Sequence, residues 1–489
     1  MLNKWKQTIS KFVCFVLTCQ LFILTVWAKP DWPSDTGIMA EAGIVMDMDS
    51  GAILYGQNIH LTYPPASITK ILTALIVLEN CNLDDTVTFS TTAVNQVEAD
   101  SGNKISVVAG DQLSVEDCLY SMLLVSCNQA ANALAEHTAG SISAFVDMMN
   151  EKLAELGCQE SHFENPSGLN GDNQYVSAYD MALIAQAAYD NETLVEISSA
   201  TTHKIAPTTQ NPDGFTIRGE HRLCVTEDPS SPYYYPEAIA GKTGYLIKAG
   251  NTLVTYAVKD NRRLVSVILK GQPRQYFVDG KALLEFGFRS FQHYTVADYE
   301  SRYVTGNETI NLDKGSFQAS DLMIDPDSVI TLPNSASFED ADITLGALPE
   351  ISPDNAVALL TYSYNDRTIG TAYLLAKDGV TIDGNDSASE AATTAFDTAN
   401  AEAPLATASN AEKPQRPHKH ISVAGVLITI LIVLLVLGVI GLISWFIYSK
   451  KKEARALAER RERRRQRLQR SGDEEEFERL LAEYKNKKK

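Results

Sequence analysis

A run of 28 residues without a charge, at 421–448, is the sequence feature that constrains this chain most. As a helix it would be about 42 Å long, more than the roughly 30 Å of a bilayer's hydrocarbon core. A cluster of lysines and arginines follows at once, and such clusters stay on the cytoplasmic side. The pattern predicts a transmembrane helix at 421–448, a large region outside the cell before it, and a cytoplasmic basic tail at 449–489.

Residues 1–28 have the composition of a secretory signal peptide. Lys4, Lys6 and Lys11 precede an apolar stretch, and Ala28 ends a small-residue cleavage site. That stretch is short for a membrane span, and an uncleaved anchor helix is the alternative interpretation. We therefore expect a single-pass cell-membrane protein whose main folded region is extracytoplasmic.

Charge and cysteine content exclude several classes of function. The formal net charge is −19 although both the signal segment and the tail are basic, so the region between them is strongly acidic. Such a surface repels phosphates, and we expect no nucleic-acid partner. The cysteines outside residues 1–28 are odd in number and form no C-x-x-C pair, so we expect buried free thiols, no disulfide framework and no structural zinc.

Between the two ends the sequence pattern changes twice. Residues 36–291 begin and end with strand-like runs and carry helical patterns in between, which predicts an α/β (α+β) fold with one antiparallel sheet flanked by helices. Residues 293–377 contain short β-rich runs such as 302–304 and 356–362, typical of a small β-sandwich-like domain. Residues 378–420 are rich in Ala, Thr, Ser and Asp, and we expect a disordered stalk there.

Ser67 and Lys70 form a Ser-x-x-Lys motif at the start of an apolar run that is typical of a buried helix. Pro64 and Pro65 discourage an earlier helix start, so Ser67 belongs to the first turn. Residues three apart share a helix face, so the Lys70 amine can reach the Ser67 hydroxyl and deprotonate it. The first-turn N–H groups can stabilise an oxyanion. The alternative is that Ser67 only caps the helix while Lys70 extends to water.

Ser126, Cys127 and Asn128 form a polar tripeptide between two helical patterns. As chemistry, Ser126 could relay a proton to a leaving amine and Asn128 could bind a substrate amide. As structure, the same residues would be ordinary helix caps. The tripeptide alone does not decide between the two.

Lys242, Thr243 and Gly244 follow a strand-like apolar run. On an exposed sheet edge the first two could bind a carboxylate, while the glycine lets a substrate backbone approach closely. An ordinary solvated strand end is the alternative. Together the three motifs supply what acyl transfer through a serine ester requires.

Motifs of this kind also arise by chance. Ser101 and Lys104 form a second Ser-x-x-Lys, and Ser449 and Lys452 form a third. The expected topology places Ser449 inside the cell, and Gly102 favours a turn at Ser101. We therefore predict that Ser67 is the nucleophile.

In this order, the three motifs resemble those of the penicillin-binding fold, specifically the low-molecular-weight, serine-type D-alanyl-D-alanine carboxypeptidases. Residues 163–169 are similar to the family's F-x-N-P-x-G-L stretch, and 241–251 to its third-motif strand. A β domain, a stalk and a C-terminal anchor also fit the family layout. The run at 220–223 differs from the family's, so the resemblance assigns no carboxylate-binding arginine.

The resemblance implies an enzyme that removes the terminal D-alanine from peptidoglycan pentapeptide stems through an acyl-enzyme, and that β-lactams acylate. It implies Ser67 as nucleophile, Lys70 as general base and Ser126 as proton relay, and no cofactor or metal. The implied substrate-binding residues are Asn128, Lys242, Thr243, Gly244 and Tyr245. The N–H groups of Ser67 and Tyr245 would form the oxyanion hole.

Two other functions use the same fold: a membrane-tethered β-lactamase-like hydrolase and a non-enzymatic β-lactam sensor that signals through the span. The E-x-x-L-N stretch that carries the deacylating glutamate of class A β-lactamases does not occur in this sequence. In the tail, Phe477, Leu480 and Tyr484 have helical spacing that suits an unknown cytoplasmic partner or the anionic inner leaflet. A solvated stop-transfer tail is the alternative.

Overall fold

The structure is a computed structural model that describes residues 29–98, 101–226, 228–349 and 351–382. The expected signal segment, the stalk beyond residue 382, the expected span and the tail lie outside these residues. Among the described residues, no helix combines the length and the apolar character needed to cross a bilayer.

The larger domain contains eleven strands and eight helices within the described residues. The strands are Ala42–Asp47 (β1), Ile53–Gln57 (β2), Thr62–Tyr63 (β3), Thr86–Thr88 (β4), Gln112–Ser114 (β5), Val176–Ser177 (β6), Thr202–Ile205 (β7), Phe215–Arg218 (β8), Ala238–Leu246 (β9), Gly250–Lys259 (β10) and Arg262–Gly271 (β11). The helices are Lys70–Asn80 (α1), Thr91–Asn95 (α2), Val115–Leu124 (α3), Asn128–Ala139 (α4), Ile142–Glu155 (α5), Ala178–Tyr189 (α6), Glu192–Ser199 (α7) and Gln275–Ser290 (α8).

Five of the strands form one antiparallel sheet in the order β2-β1-β11-β10-β9. The β10–β11 hairpin turns at Asp260 and Asn261, whose φ angles of 49° and 62° suit a tight two-residue turn. β9 lies at one edge, where Thr243 pairs with Leu253 of β10. The remaining strands of this domain form the short pairs β3–β6, β4–β5 and β7–β8.

Alternate residues of the sheet face opposite layers, because side chains along a strand point to opposite sides. Val254 and Val267 pack into a core with the helices α1 and α3 to α7. Leu253 and Ile268 pack on the other side against α8. The predicted antiparallel sheet flanked by helices is thereby confirmed.

A smaller β-rich region follows. Its strands are Phe291–Thr295 (β12), Thr309–Leu312 (β13), Gly315–Gln318 (β14), Leu322–Ile324 (β15), Val329–Pro333 (β16), Asp342–Gly346 (β17), Ala356–Tyr364 (β18) and Arg367–Ala376 (β19), and a short helix spans Val296–Tyr299 (α9). They form a four-stranded sheet in the order β15-β19-β18-β17 and the pairs β12–β16 and β13–β14. The strand expected at 302–304 is wrong, because Arg302 turns back and places its Nη2 2.6 Å from the buried carboxylate of Glu300.

The chain's first described residues join the two regions. Trp32 donates from Nε1 to the carbonyl of Leu54 at 2.8 Å, and its ring lies 4.9 Å from that of Phe291. Tyr364 Oη donates to the carbonyl of Pro30 at 2.7 Å. Residues 29–32 therefore contact both the sheet domain and the last hairpin of the β-rich region.

A buried ion cluster makes a second link between the same regions. Asp47 is fully buried, and its Oδ2 lies 2.7 Å from Nε2 of His293 and 3.4 Å from Nη2 of Arg262. Arg262 also donates from Nη1 to the carbonyl of Phe291 at 2.6 Å. Breaking such a cluster leaves a buried charge uncompensated, so it fixes the β12 region to β1.

The five cysteines of the described residues are free, but they are not all buried as the sequence analysis expected. Cys118, Cys127 and Cys158 are buried, and Cys81 and Cys224 are partly exposed. Burial raises the pKa of the Cys127 thiol to about 11, so this thiol is neutral at pH 7.

Candidate active site

Ser67 lies in a single 3-10 turn, Ala66–Thr69, that leads directly into α1. Ala66 has a φ of 52°, an uncommon value for a residue with a side chain, and the turn is held from two sides. Thr69 Oγ1 donates to the carbonyl of Ala66 at 2.9 Å. Thr252 of β10 donates from Oγ1 to the carbonyl of Pro65 at 2.9 Å, which fastens the turn to the sheet.

Lys70 is completely buried, and its amine contacts three oxygen atoms. Nζ lies 3.0 Å from Ser67 Oγ and 2.8 Å from Asn128 Oδ1, and it also donates to the backbone carbonyl of Ser167. Burial first, and then the positive charge of Lys242, hold the pKa of Lys70 well below its usual range. No carboxylate hydrogen-bonds to this amine among the described residues. The environment therefore favours a neutral amine next to the serine hydroxyl.

The Ser167 carbonyl that contacts Lys70 belongs to the loop 163–169, for which the sequence analysis predicted no role. The loop packs directly on the nucleophile turn: Gly168 has a φ of 82°, and a Cβ placed on it would lie 1.9 Å from the Ala66 carbonyl oxygen. Thr73 of α1 donates from Oγ1 to the carbonyl of Pro166 at 2.7 Å. A backbone carbonyl leaves no signature in the sequence, so the similarity of 163–169 to a family motif was the one signal that marked this loop, and it did not identify the contact.

Ser126, Cys127 and Asn128 connect α3 to α4. Ser126 has a φ of 62°, in the left-handed region that residues other than glycine rarely adopt. Cys127 donates from its backbone N to the Ser121 carbonyl at 3.0 Å, and its Sγ caps α4 by accepting from Ala130 N at 3.4 Å. Cys127, and not Ser126 or Asn128, therefore caps α4. Ser126 lines the cleft, and Asn128 Oδ1 accepts a hydrogen bond from Lys70 Nζ.

The third motif lies on the edge strand β9, but its lysine is not exposed as the sequence analysis expected. Lys242 has 1% of its surface exposed, and its Nζ donates to the carbonyl of Thr243 at 2.9 Å. Burial lowers the pKa of Lys242 to about 8, while Glu220 opposes that decrease. The lysine thus lies beneath the cleft wall as a buried charge, whereas Thr243 and the exposed Tyr245 line the cleft.

Gly244 brings this strand against the nucleophile. A Cβ on Gly244 would lie 2.3 Å from Thr252 Oγ1 and 2.9 Å from the backbone N of Ser67. Any side chain would therefore push β9 away from the turn. The close approach is the structural reason for glycine in the motif.

One open cavity of about 1440 Å³ connects these elements. Ser67, Ser126, Asn128, Thr243, Gly244 and Tyr245 all line it. Six of the eight predicted site residues, the nucleophile among them, thus line one cleft. The other two, Lys70 and Lys242, are buried next to it.

The rival motif at 101–104 lies on the same cleft. Ser101 and Lys104 both line it, in a loop without helix, and Lys104 Nζ lies 3.3 Å from Glu220 Oε1. Lys104 is about half exposed, whereas Lys70 is completely buried. Arg222 also lines the cleft, with its guanidinium 5.8 Å from the centre of the Tyr233 ring.

Within the part of the chain that the structure describes, one group of side chains has the spacing of a metal site: ligand atoms of Asp47, Asp49 and His293 lie within 4.8 Å of one another. Each carboxylate is already paired, Asp47 with Arg262 at 3.4 Å and Asp49 with Arg263 at 2.6 Å. A cation would have to compete with these arginines, so the group is better described as an ion cluster.

Comparisons with known proteins identify the family to which the chain belongs. The family model described as D-alanyl-D-alanine carboxypeptidase matches residues 29–272. The D-alanyl-D-alanine carboxypeptidase DacB2 of Mycobacterium tuberculosis is 35% identical over 265 residues, which cover 53% of this chain and 84% of that protein. DacA of Haemophilus influenzae is 30% identical over 357 residues, which cover 69% and 84%.

Two solved structures are similar to part of the chain. The crystal structure of a D-alanyl-D-alanine carboxypeptidase from Mycobacterium tuberculosis H37Rv is 32% identical, with a TM-score of 0.46, and the match covers 54% of this chain and 93% of that one. A Streptomyces DD-transpeptidase variant is 26% identical, with a TM-score of 0.48, over 52% of this chain and 98% of that one.

Proposed function

Because this chain belongs to the D-alanyl-D-alanine carboxypeptidase family, we propose that it removes the terminal D-alanine from peptidoglycan pentapeptide stems through an ester at Ser67. It is a serine-type carboxypeptidase, and hence a hydrolase. The observation that carries the assignment of Ser67 is the hydrogen bonding of Lys70, whose amine reaches Ser67 Oγ and two further acceptors.

The two further acceptors orient the base. A neutral amine has two N–H donors and one lone pair. The carbonyl oxygens of Asn128 and Ser167 can only accept, so they take the two N–H bonds. The lone pair then faces Ser67 Oγ, at 3.0 Å, and accepts the hydroxyl proton.

The acylation step follows from this arrangement. Ser67 Oγ forms a bond to the carbonyl carbon of the penultimate D-alanine, and the hydroxyl proton goes to Lys70. The N–H groups of Ser67 and Tyr245 stabilise the oxyanion, which Gly244 makes possible by bringing β9 close to Ser67. The C–N bond then breaks, and the leaving D-alanine takes a proton through Ser126. Water hydrolyses the ester to regenerate Ser67.

The terminal carboxylate of the substrate is bound at β9. Thr243 is accessible in the cleft and donates a hydrogen bond, while Lys242 supplies positive charge from beneath the strand. A buried charge is screened little by solvent, so it attracts the carboxylate more strongly than a surface lysine would. β-Lactams, which carry a carboxylate next to a strained acyl bond, acylate Ser67 by the same route.

We further propose that this chemistry takes place outside the cell. The uncharged run at 421–448, the cationic cluster after it and the signal-like residues 1–28 support a single-pass anchor with the catalytic domain extracytoplasmic. Protease treatment of intact cells should remove the catalytic domain and leave the tail protected. Protection of the catalytic domain instead would contradict this topology.

The decisive experiment compares two serines of one cleft. The full-length protein and its Ser67→Ala and Ser101→Ala variants are incubated with a muropeptide ending in D-Ala-D-Ala, and free D-alanine is measured. We expect release by the parent and by Ser101→Ala, and none by Ser67→Ala. No release by the parent would refute the carboxypeptidase, and release by Ser67→Ala would refute the nucleophile.

A further inference from the structure

The loop 163–169 contributes a backbone carbonyl to Lys70, and a single side chain holds that loop in shape. Asn165 Oδ1 accepts three hydrogen bonds: from Ser167 Oγ at 3.0 Å, from Gly168 N at 2.8 Å and from Leu169 N at 3.1 Å. Its Nδ2 donates to the Leu169 carbonyl at 3.1 Å. The side chain thus bridges both sides of the peptide unit whose oxygen contacts Lys70.

We propose that Asn165 is a positioning residue for the general base. It fixes the Ser167 carbonyl, the Ser167 carbonyl takes one N–H of Lys70, and the lone pair of the amine therefore points at Ser67. Asn165 itself touches no substrate in this scheme. The inference rests on the proposed function, because it needs Ser67 and Lys70 as nucleophile and base.

Side chains from outside the loop bind its two ends, so the position of the Ser167 carbonyl depends mainly on Asn165. Gln174 Oε1 accepts from Glu164 N and Asn165 N, each at 3.1 Å. Thr73 Oγ1 binds the Pro166 carbonyl at 2.7 Å. Among the described residues, the side-chain hydrogen bonds to the N–H groups of Gly168 and Leu169 come from Asn165 and Ser167. Gln174 also donates from Nε2 to the carbonyl of Leu169, at the end of the loop. Loss of the asparagine side chain would therefore free the carbonyl without detaching the loop.

The chain offers a matched control. Asn150 of α5 binds the backbone of Phe163 in the same loop, donating to its carbonyl at 2.9 Å and accepting from its N at 3.0 Å. Asn150→Ala removes an asparagine clamp from this loop as Asn165→Ala does, but at a residue with no contact to Lys70. A merely structural role for Asn165 would make the two variants alike.

The test measures acylation of the full-length protein by benzylpenicillin, with the saturating rate constant and the binding constant determined separately as a function of pH. We expect Asn165→Ala to lower the saturating rate about 10- to 100-fold with little change in binding, and Asn150→Ala to lower it less than about threefold. Equal losses in the two variants would overturn the inference.

Asn165→Asp tests the same inference without loss of the acceptor. It keeps the three bonds accepted by Oδ1, so we expect it to recover most of the rate. Its added negative charge stabilises the ammonium form of Lys70 and raises its pKa. The acid limb of the pH profile for acylation should therefore move to higher pH. The other titratable groups acting on Lys70 are Lys242 of β9 and Cys127 ahead of α4, and neither is altered. An unshifted acid limb, or no recovery, would overturn the proposal.

Thermal unfolding of each variant shows whether it is folded. If Asn165→Ala does not fold, the proposal is judged from Asn165→Asp, by the shift of the acid limb in its pH profile for acylation. D-Alanine release is measured in parallel. Its absence from the parent protein, with penicillin acylation intact, would refute the proposed function while leaving the positioning of Lys70 to be judged from acylation.

Discussion

The nucleophile turn and the edge strand β9 each bury a lysine, yet their surroundings differ. Lys70 is fully buried among three neutral oxygen atoms, with a second cation, Lys242, close enough to lower its pKa. Lys242 is nearly as buried, but Glu220 raises its pKa against the effect of burial, leaving a value of about 8. Two lysines that are buried to a similar extent thus favour opposite protonation states: neutral for Lys70 and charged for Lys242.

Burial alone does not define a catalytic base in this protein. Burial lowers the pKa of both lysines, and the charges nearby separate them. Between the pKa of Lys70 and about pH 8, Lys70 is neutral and can accept a proton, while Lys242 is charged and can attract a carboxylate. Altering either lysine, or the charge beside Lys242, should therefore have a distinct effect.

Removal of the base should have the largest effect. Lys70→Met keeps the length and apolar stem of the side chain but has no amine, so we expect acylation of Ser67 to fall about 10²- to 10⁴-fold. Stopped-flow acylation by a fluorescent penicillin measures it. Lys104→Met, which changes the half-exposed lysine of the same cleft, should stay within about threefold of the parent. Similar losses in both variants would mean that burial does not distinguish the two lysines.

Removal of the second buried charge should have a smaller, substrate-dependent effect. Lys242→Met loses attraction for the terminal carboxylate, and we expect kcat/KM for D-alanine release to fall roughly 10- to 100-fold. The control is a peptide ending in D-alaninamide, which has no carboxylate. For this peptide we expect a similar kcat/KM in the variant and the parent. Since Lys242 lowers the pKa of Lys70, the acid limb of acylation should also move to higher pH in the variant.

The pH profile of the parent protein tests both lysines together. Below the pKa of Lys70 the base is protonated, and above about pH 8 Lys242 loses its charge. We expect a bell-shaped kcat/KM whose alkaline limb lies near pH 8 and falls about tenfold per unit beyond it. Lys242→Met should lack that limb. An alkaline limb that persists in the variant would have to come from another group.

The smallest expected effect concerns the carboxylate beside Lys242. Glu220→Gln removes a charge that raises the pKa of Lys242, so the alkaline limb should move to lower pH. The shift should be below about one unit and shrink with added salt, because Glu220 is about half exposed. Asp228→Asn, at another acidic residue of the cleft, is the control and should leave the limb in place.

Local spacing predicted the part of the site that lies within a few residues. Ser67 and Lys70 are three apart at the start of a helix, so their contact follows from helical geometry. The third oxygen on Lys70 could not be predicted in this way, because Ser167 is 97 residues away and contributes only its backbone. Only a fold that presses Gly168 against Ala66 brings them together.

The burial of Lys242 was also beyond the sequence. The pattern around it correctly predicted a strand, and β9 is an edge strand. Edge strands usually expose charged residues, but here β9 lies against the nucleophile turn at Gly244, and Lys242 is buried. The strand expected at 302–304 is absent, and Arg302 instead pairs with Glu300, two residues before it.

The contacts of residues 29–32 have a consequence for how the protein matures. Pro30 and Trp32 dock against Tyr364, on the last hairpin of the described chain. A chain is made from its N-terminus, so the contact of Pro30 with Tyr364 forms only after β18 has been synthesised, whereas Trp32 can already bind the carbonyl of Leu54. We expect a chain that stops short of β18 to lack the Pro30 contact and to be cut more readily by proteases near residue 30.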